Sequence, residues 1–200
     1  MKKLLLLSIF LIVVRAQAQS VWTEYATAQP AASTGVRSIS IVDENVTWLN
    51  MGCGTPACST IRRFAKTDNG GTVWTTGAID LGPNSLNLEI ANIHGVSSSV
   101  AYASVFPHVA GIQGGIWQTT DAGVTWTRQA SAAFSDPDSF TNLVYFWNAQ
   151  EGIAAGDPTN GYFEIYKTSD GGTNWTRIAT TPALIPVDPQ EYTLPNKFTT

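Results

Sequence analysis

Thr67-Asp68-Asn69-Gly70-Gly71-Thr72-Val73-Trp74, Thr119-Thr120-Asp121-Ala122-Gly123-Val124-Thr125-Trp126 and Thr168-Ser169-Asp170-Gly171-Gly172-Thr173-Asn174-Trp175 are three versions of one octad. Thr stands first, Gly fifth and Trp eighth in each, and the third residue is Asn69, Asp121 or Asp170. The octads begin 52 and then 49 residues apart, a period that suits a repeating unit of four short strands. An Asp or Asn at the third position can accept hydrogen bonds from backbone N–H groups further along the turn. Gly at the fifth permits positive φ without a Cβ clash. The Trp is expected to open the next strand and bury its ring.

An extended run precedes each octad (Arg63–Lys66, Gly115–Gln118, Glu164–Lys167), and Trp-Thr closes it. Each unit therefore reads as a β-hairpin with a tight polar tip. No segment keeps apolar residues at helical spacing for three turns, so the chain is predicted to be all-β.

The octads resemble the Asp-box, or BNR repeat, whose pattern is Ser/Thr-x-Asp-x-Gly-x-Thr-Trp. The second copy matches every defined position. The third has Asn174 in place of Thr, and the first departs at Asn69 and Val73. The resemblance covers roughly residues 36–180. Proteins with this repeat include sialidases, xyloglucanase-type glycosidases, sortilin-like domains and Ycf48-like photosystem assembly factors. It implies a β-propeller of four-stranded antiparallel blades, in which the octads are structural turns on the outer rim and not catalytic groups. The structural residues would be Thr67, Asn69, Gly71 and Trp74, then Thr119, Asp121, Gly123 and Trp126, then Thr168, Asp170, Gly172 and Trp175.

Three blades fit within residues 35–181. Blade one comprises Val36–Val42, Val46–Met51, Thr60–Lys66 and Val73–Ala78. Blade two comprises Leu86–Ile93, Val100–Phe106, Gly114–Gln118 and Thr125–Gln129. Blade three comprises Ser139–Trp147, Gly152–Gly156, Tyr162–Lys167 and Asn174–Ala179. Residues 19–34 supply a short strand, Val21–Ala26, and a linker; the strand either completes a blade begun at the other terminus or lies on the nearest blade. Residues 182–200 carry Pro182, Pro186, Pro189 and Pro195 and resemble the start of a loop entering a further blade. Three blades and one strand do not obviously close a ring, so the arc is expected to be open, assembled from copies, or part of a longer chain.

Met1-Lys2-Lys3, the apolar run Leu4–Val14 and Ala16-Gln17-Ala18 describe a secretory signal peptide over residues 1–18. The run is too short for a membrane span, which needs about 20 apolar residues. Removing Lys2, Lys3 and Arg15 leaves 8 basic against 15 acidic residues, a net charge of −7. That balance argues against nucleic acid or an anionic membrane as partner. The expected location is secreted, cell-surface or periplasmic, and the expected partner a carbohydrate or another surface protein. Cys53 and Cys58 flank a Gly/Pro turn and read as a local disulfide in a secreted chain. A metal pair is the alternative, but no His or further Cys stands nearby. No cofactor is expected.

Candidate binding residues are Asp157, Trp147 and His108. Asp157, in Gly156-Asp157-Pro158, follows a predicted second strand and is either a carboxylate at the mouth of the axis or a turn-former. Trp147 ends Tyr145-Phe146-Trp147, a possible sugar platform in which alternation commits some rings to packing. His94 and His108 are the two histidines. Sialidases clamp substrate with three arginines; Arg62-Arg63-Phe64 has the wrong order for the first, and Arg128 and Arg177 follow octads on outer strands. No spacing singles out the facing carboxylate pair that glycoside hydrolysis needs, so no catalytic residue is nominated. Three functions stand at this point: a binding scaffold, part of a glycoside hydrolase, or a Ycf48-like assembly factor.

Overall fold

A computed structural model of the chain describes residues 34–53 and 61–179, together with Glu24, Ala26 and Thr27. The leader, most of the expected Val21–Ala26 strand, Cys58 and the proline-rich tail lie outside the described residues. Cys53 ends a strand and is disulfide-bonded rather than a free thiol.

Among the described residues, twelve strands form three four-stranded antiparallel sheets in simple chain order. Sheet one holds β1 (Thr34–Ile41), β2 (Thr47–Cys53), β3 (Arg63–Thr67) and β4 (Thr75–Ala78). Sheet two holds β5 (Leu88–Gly95), β6 (Ala101–Pro107), β7 (Gly115–Thr119) and β8 (Thr127–Arg128). Sheet three holds β9 (Thr141–Phe146), β10 (Gly152–Thr159), β11 (Tyr162–Thr168) and β12 (Thr176–Arg177). One turn of 3-10 helix, Ser85–Asn87, precedes β5. The sheets pack face to face in sequence, and their first strands β1, β5 and β9 lie next to one another.

The sheets repeat in detail. The first two strands of each are joined by a five-residue loop (42–46, 96–100, 147–151), closed by Asp43, Ser97 or Asn148. Each of these side chains accepts two N–H groups of its own loop, at 2.8–3.2 Å. Each first strand carries a β-bulge at the same place, with Arg37, Ala91 or Asn142 as the extra residue. Bulges sharpen strand twist.

The octad turns share one hydrogen-bond scheme. The first Thr donates its hydroxyl to the third residue (Thr67 to Asn69 at 3.0 Å; Thr119 to Asp121 and Thr168 to Asp170 at 2.8 Å). The same Thr oxygen accepts the N–H of the fifth-position glycine at 2.9–3.0 Å. The third residue accepts the N–H of the seventh, Val73, Thr125 or Asn174, at 2.8–2.9 Å. Two successive residues take positive φ: Gly70, Ala122 and Gly171 near 65°, then Gly71, Gly123 and Gly172 near 85°. The first of each pair donates its N–H to the five-residue loop of its own sheet (Gly70 to Asn45, Ala122 to Ser99, Gly171 to Gln150). Each rim turn is thereby tied to the start of its sheet.

The octad tryptophans stand one residue before the fourth strand rather than inside it. The rings of Trp126 and Trp175 turn toward the preceding sheet, whereas Trp74 packs against Leu49, Met51 and Ala65 of its own sheet. Trp126 packs 6.0 Å from Phe64 and edge-on to Trp48 of sheet one. Trp175 joins the cluster of Tyr102 and Phe146. A Cβ on Gly123 would come within 2.2 Å of the Phe64 ring, so glycine is required there for packing as well as for φ. The fourth strands β8 and β12 are only two residues long, shorter than the sequence pattern suggests, because the turn consumes the residues before them.

Two predictions follow from the turns. Ala122 bears a side chain at φ 62°, which costs about 1–2 kcal/mol, while glycine loses somewhat more chain entropy on folding. Ala122→Gly should raise stability by about 0.5–1 kcal/mol in urea unfolding; a loss of stability refutes the strain. The second concerns acid. The Thr125 hydroxyl and N–H hold the Asp121 carboxyl at about 2 against an ordinary 3.8, and the Asn174 backbone N–H and side chain hold Asp170 low as well. Folded values below unfolded ones mean stability that is complete above the ordinary carboxylate value and lost as pH falls through the folded value. The unfolding temperature should drop between pH 4 and 2, and Asp121→Asn with Asp170→Asn should flatten part of that drop.

Candidate functional site

Each first strand has one edge paired within its sheet and one edge bare. Backbone groups on a bare edge need partners, and the preceding sheet supplies them from side chains. Ser38 and Ser40 of β1 accept the N–H groups of Ile93 and Gly95 at 3.2 and 2.9 Å. Asn92 of β5 both accepts the Val144 N–H at 3.1 Å and donates to the Val144 carbonyl at 3.2 Å. Ser104 orients Asn92 with a 2.6 Å hydrogen bond. These contacts hold the three first strands side by side and define the surface between them.

A cleft of about 510 Å³ opens at the C-terminal ends of these strands, lined by 39–42, 92–96 and 145–149. Phe146 points inward and is buried, whereas Tyr145 and Trp147 are 43% and 64% exposed and meet edge to face at 5.7 Å. His94 leans on Tyr145 with ring centroids 4.7 Å apart. Burial holds the His94 imidazole below its ordinary value, partly offset by a hydrogen bond with the Phe146 backbone, so it is a neutral donor or acceptor at pH 7. Among the described residues, the lining carries amides (Asn92, Asn148), aromatic rings and this imidazole, and no carboxylate.

The opposite end of the first strands is ionic. Glu89 of β5 forms an ion pair with Arg37 of β1 and stands 3.0 Å from His108 Nε2. Arg37 also donates to the Ile90 carbonyl at 3.0 Å. The His108 ring meets Phe106, which stacks on Phe140 at 4.4 Å. Asp157 follows along the same end: its Oδ1 accepts from Asn142 at 2.6 Å, and its N–H donates to the Phe140 carbonyl at 2.8 Å.

His108 and Asp157 therefore lie at one end of the first strands, and Trp147 lies at the other. Asp157 is neither in a loop after the strand nor in a turn. It sits inside β10, at the register shift between Gly156 and Pro158, because a proline within a strand is tolerated at a bulge. Arg128 is committed to structure, its guanidinium donating to the Gly114 and Ala133 carbonyls and lying 5.6 Å from the Trp117 ring. Arg177 donates to Thr159. Neither reaches the cleft. The sequence did not single out Glu164, a fully buried acid on β11 that accepts hydrogen bonds from Ser139 at 2.5 Å and Tyr166 at 3.1 Å; it ties sheet three internally, away from the cleft. Its signal was a charged residue at an inward-facing strand position.

Comparison with known proteins agrees with this architecture. No family model and no curated protein matches the sequence. Among solved structures, the chain is similar to Ycf48 from Cyanidioschyzon merolae, with TM-score 0.50 and 22% identity over 76% of this chain and 41% of that one. It is also similar to Ycf48 bound to a D1 peptide, with TM-score 0.49 and 17% identity over 72% of this chain and 40% of that one. The GH74 enzyme of Niastella koreensis has TM-score 0.48 and 20% identity over 73% of this chain and 23% of that one. The chain spans about two fifths of the length of the Ycf48 structures. The fold is all-β, and its three sheets are consecutive blades of a β-propeller.

The Arg37–Glu89 pair joins blades one and two at a half-exposed position. A double-mutant cycle of Arg37→Met and Glu89→Gln, read by urea unfolding, should give a coupling of about 0.5–1 kcal/mol that shrinks in high salt. Additive effects would remove the pair from the forces joining the blades.

Proposed function

We propose that the protein is a secreted or cell-surface binding scaffold, with the rim octads serving as structural Asp-box turns and the axial cleft serving as the ligand site. The observation that carries this reading is the exposed edge-to-face pair of Tyr145 and Trp147 beside a neutral His94, set on three strands locked together by side-chain hydrogen bonds. Flat aromatic faces beside a neutral imidazole suit a ligand with an apolar face and polar edges, above all a sugar ring. The cleft lining has no facing carboxylates, which supports capture over glycoside hydrolysis at this place. The leader-like sequence at residues 1–18 and the acidic balance support an extracellular or periplasmic location.

A glycan array, followed by titration of the best glycan and by a fluorogenic glycoside assay, tests the proposal. Binding should be detected without turnover, and Trp147→Ala should weaken it about five- to thirtyfold, since stacking on one ring contributes on the order of 1–2 kcal/mol. Trp147 is exposed, so the variant should unfold at the parent temperature. Turnover would favour the hydrolase reading, and unchanged affinity in the variant would displace the ligand from the cleft.

A further inference from the structure

A second pocket, of about 350 Å³, lies where the connection from blade one meets the outer strands of blade two. It shares no lining residue with the axial cleft. Its floor is apolar. Leu81, Leu88 and Trp117 are buried there, and Ile112 packs against the same cluster. The side chains of Asn84 and Gln113 stand exposed on the rim. Among the described residues, no acidic side chain lines it.

One charge enters this lining. Arg128 is half-buried, with its guanidinium 5.6 Å from the Trp117 ring. Two of its nitrogens are anchored: Nε and Nη2 donate to the Gly114 carbonyl at 3.2 and 2.9 Å, and Nη2 also to the Ala133 carbonyl at 2.8 Å. Among the described residues, Nη1 makes no hydrogen bond, and the guanidinium forms no ion pair. Burial holds it below its ordinary value. A partly buried cation without a counter-charge costs free energy that a bound anion would offset. The repeat does not require this arrangement. Thr76 occupies the equivalent register in blade one, and Arg177 in blade three is exposed and donates to Thr159.

We infer that this pocket binds a small carboxylic acid with an apolar body: the carboxylate pairs with the free Nη1 of Arg128, and the body covers Leu81, Leu88, Ile112 and Trp117. The guanidinium is already fixed by two carbonyls and one aromatic ring, so it loses little freedom when an anion arrives. Hydrogen bonds between two charged groups are also stronger than neutral ones, which sets the acid apart from its uncharged analogues. A doubly charged phosphate fits less well, because a single guanidinium shared with two carbonyls offsets little of its lost hydration. The volume lies at the small end of ligand cavities, which suits one ring and a short chain. This site is independent of the axial cleft and of the ligand proposed for it.

Titration of the full chain with phenylacetate, followed by ligand-observed NMR beside neutral phenylacetamide, tests this. Phenylacetate should bind with a Kd on the order of 1 mM, as its few heavy atoms allow, and the amide roughly tenfold more weakly. Gln113→Glu places a carboxylate on the rim and should weaken phenylacetate severalfold while leaving the amide unchanged. Gln113 is exposed, so this variant should unfold at the parent temperature, whereas replacing Arg128 would also remove its bonds to Gly114 and Ala133. Trp147→Ala, in the axial cleft, should alter neither affinity. Equal affinity for acid and amide, or no binding of phenylacetate at several times the expected Kd, overturns the inference. Binding indifferent to Gln113→Glu, or lost in Trp147→Ala, overturns it as well, the latter by moving the ligand to the cleft.

Discussion

The bare edge of each first strand is the constraint on which this structure depends. A four-stranded sheet can satisfy three of its strands internally, but the innermost keeps a row of unpaired N–H and C=O groups. Side chains from the neighbouring sheet answer that row. Ser38 and Ser40 meet two N–H groups of β5, and the Asn92 amide imitates a strand by pairing both ways with Val144. A side chain reaches across where a backbone cannot, so adjacent first strands can splay around an axis instead of merging into one continuous sheet. The joint is directional, since each blade fastens the next, and this direction makes the two ends of the arc chemically different.

The rim turn solves the complementary problem at the outer edge. Its Thr hydroxyl and Asp carboxylate satisfy N–H groups that two consecutive left-handed residues turn inward, and its fourth residue anchors the turn to the first loop of its own blade. With the backbone held, the tryptophan that follows is delivered to the preceding blade. One octad therefore shapes a hairpin and also packs one sheet on another. A buried Trp48–Phe64–Trp126 cluster forms at the first junction and a Tyr102–Phe146–Trp175 cluster at the second.

Much of this architecture was legible in the sequence, because octad and period are local patterns: all-β class, three units, strand order and the place of the rim turns all follow from them. What escaped depends on distance along the chain. The bonds from Ser38, Ser40 and Asn92 link residues 52 to 55 positions apart, and no window of sequence contains both partners. The orientation of the tryptophans and the tie of Ala122 to Ser99 escaped likewise, for they express packing between repeats or between distant loops. Asp157 was misplaced because Asp-Pro is a turn signal unless a bulge accommodates the proline, and a bulge has no sequence mark of its own. At the site, alternation separated Phe146 from Tyr145 and Trp147, but the approach of His94 to Tyr145 required the blades to be assembled.

The distribution of chemistry along each blade bears on function. Rim positions repeat nearly unchanged, because every blade must make the same turn. Positions facing the axis vary more: Ser40, His94 and Tyr145 occupy one register, and Val42, Val96 and Trp147 another. Geometry alone does not require these differences, since serine, histidine and tyrosine serve in turn at equivalent sites. The variation concentrates where three strand ends converge on open space, and it changes from small side chains in blade one to large aromatic ones in blade three. An asymmetric lining on a repeating frame gives a ligand one preferred orientation, which a cleft of identical repeats would not.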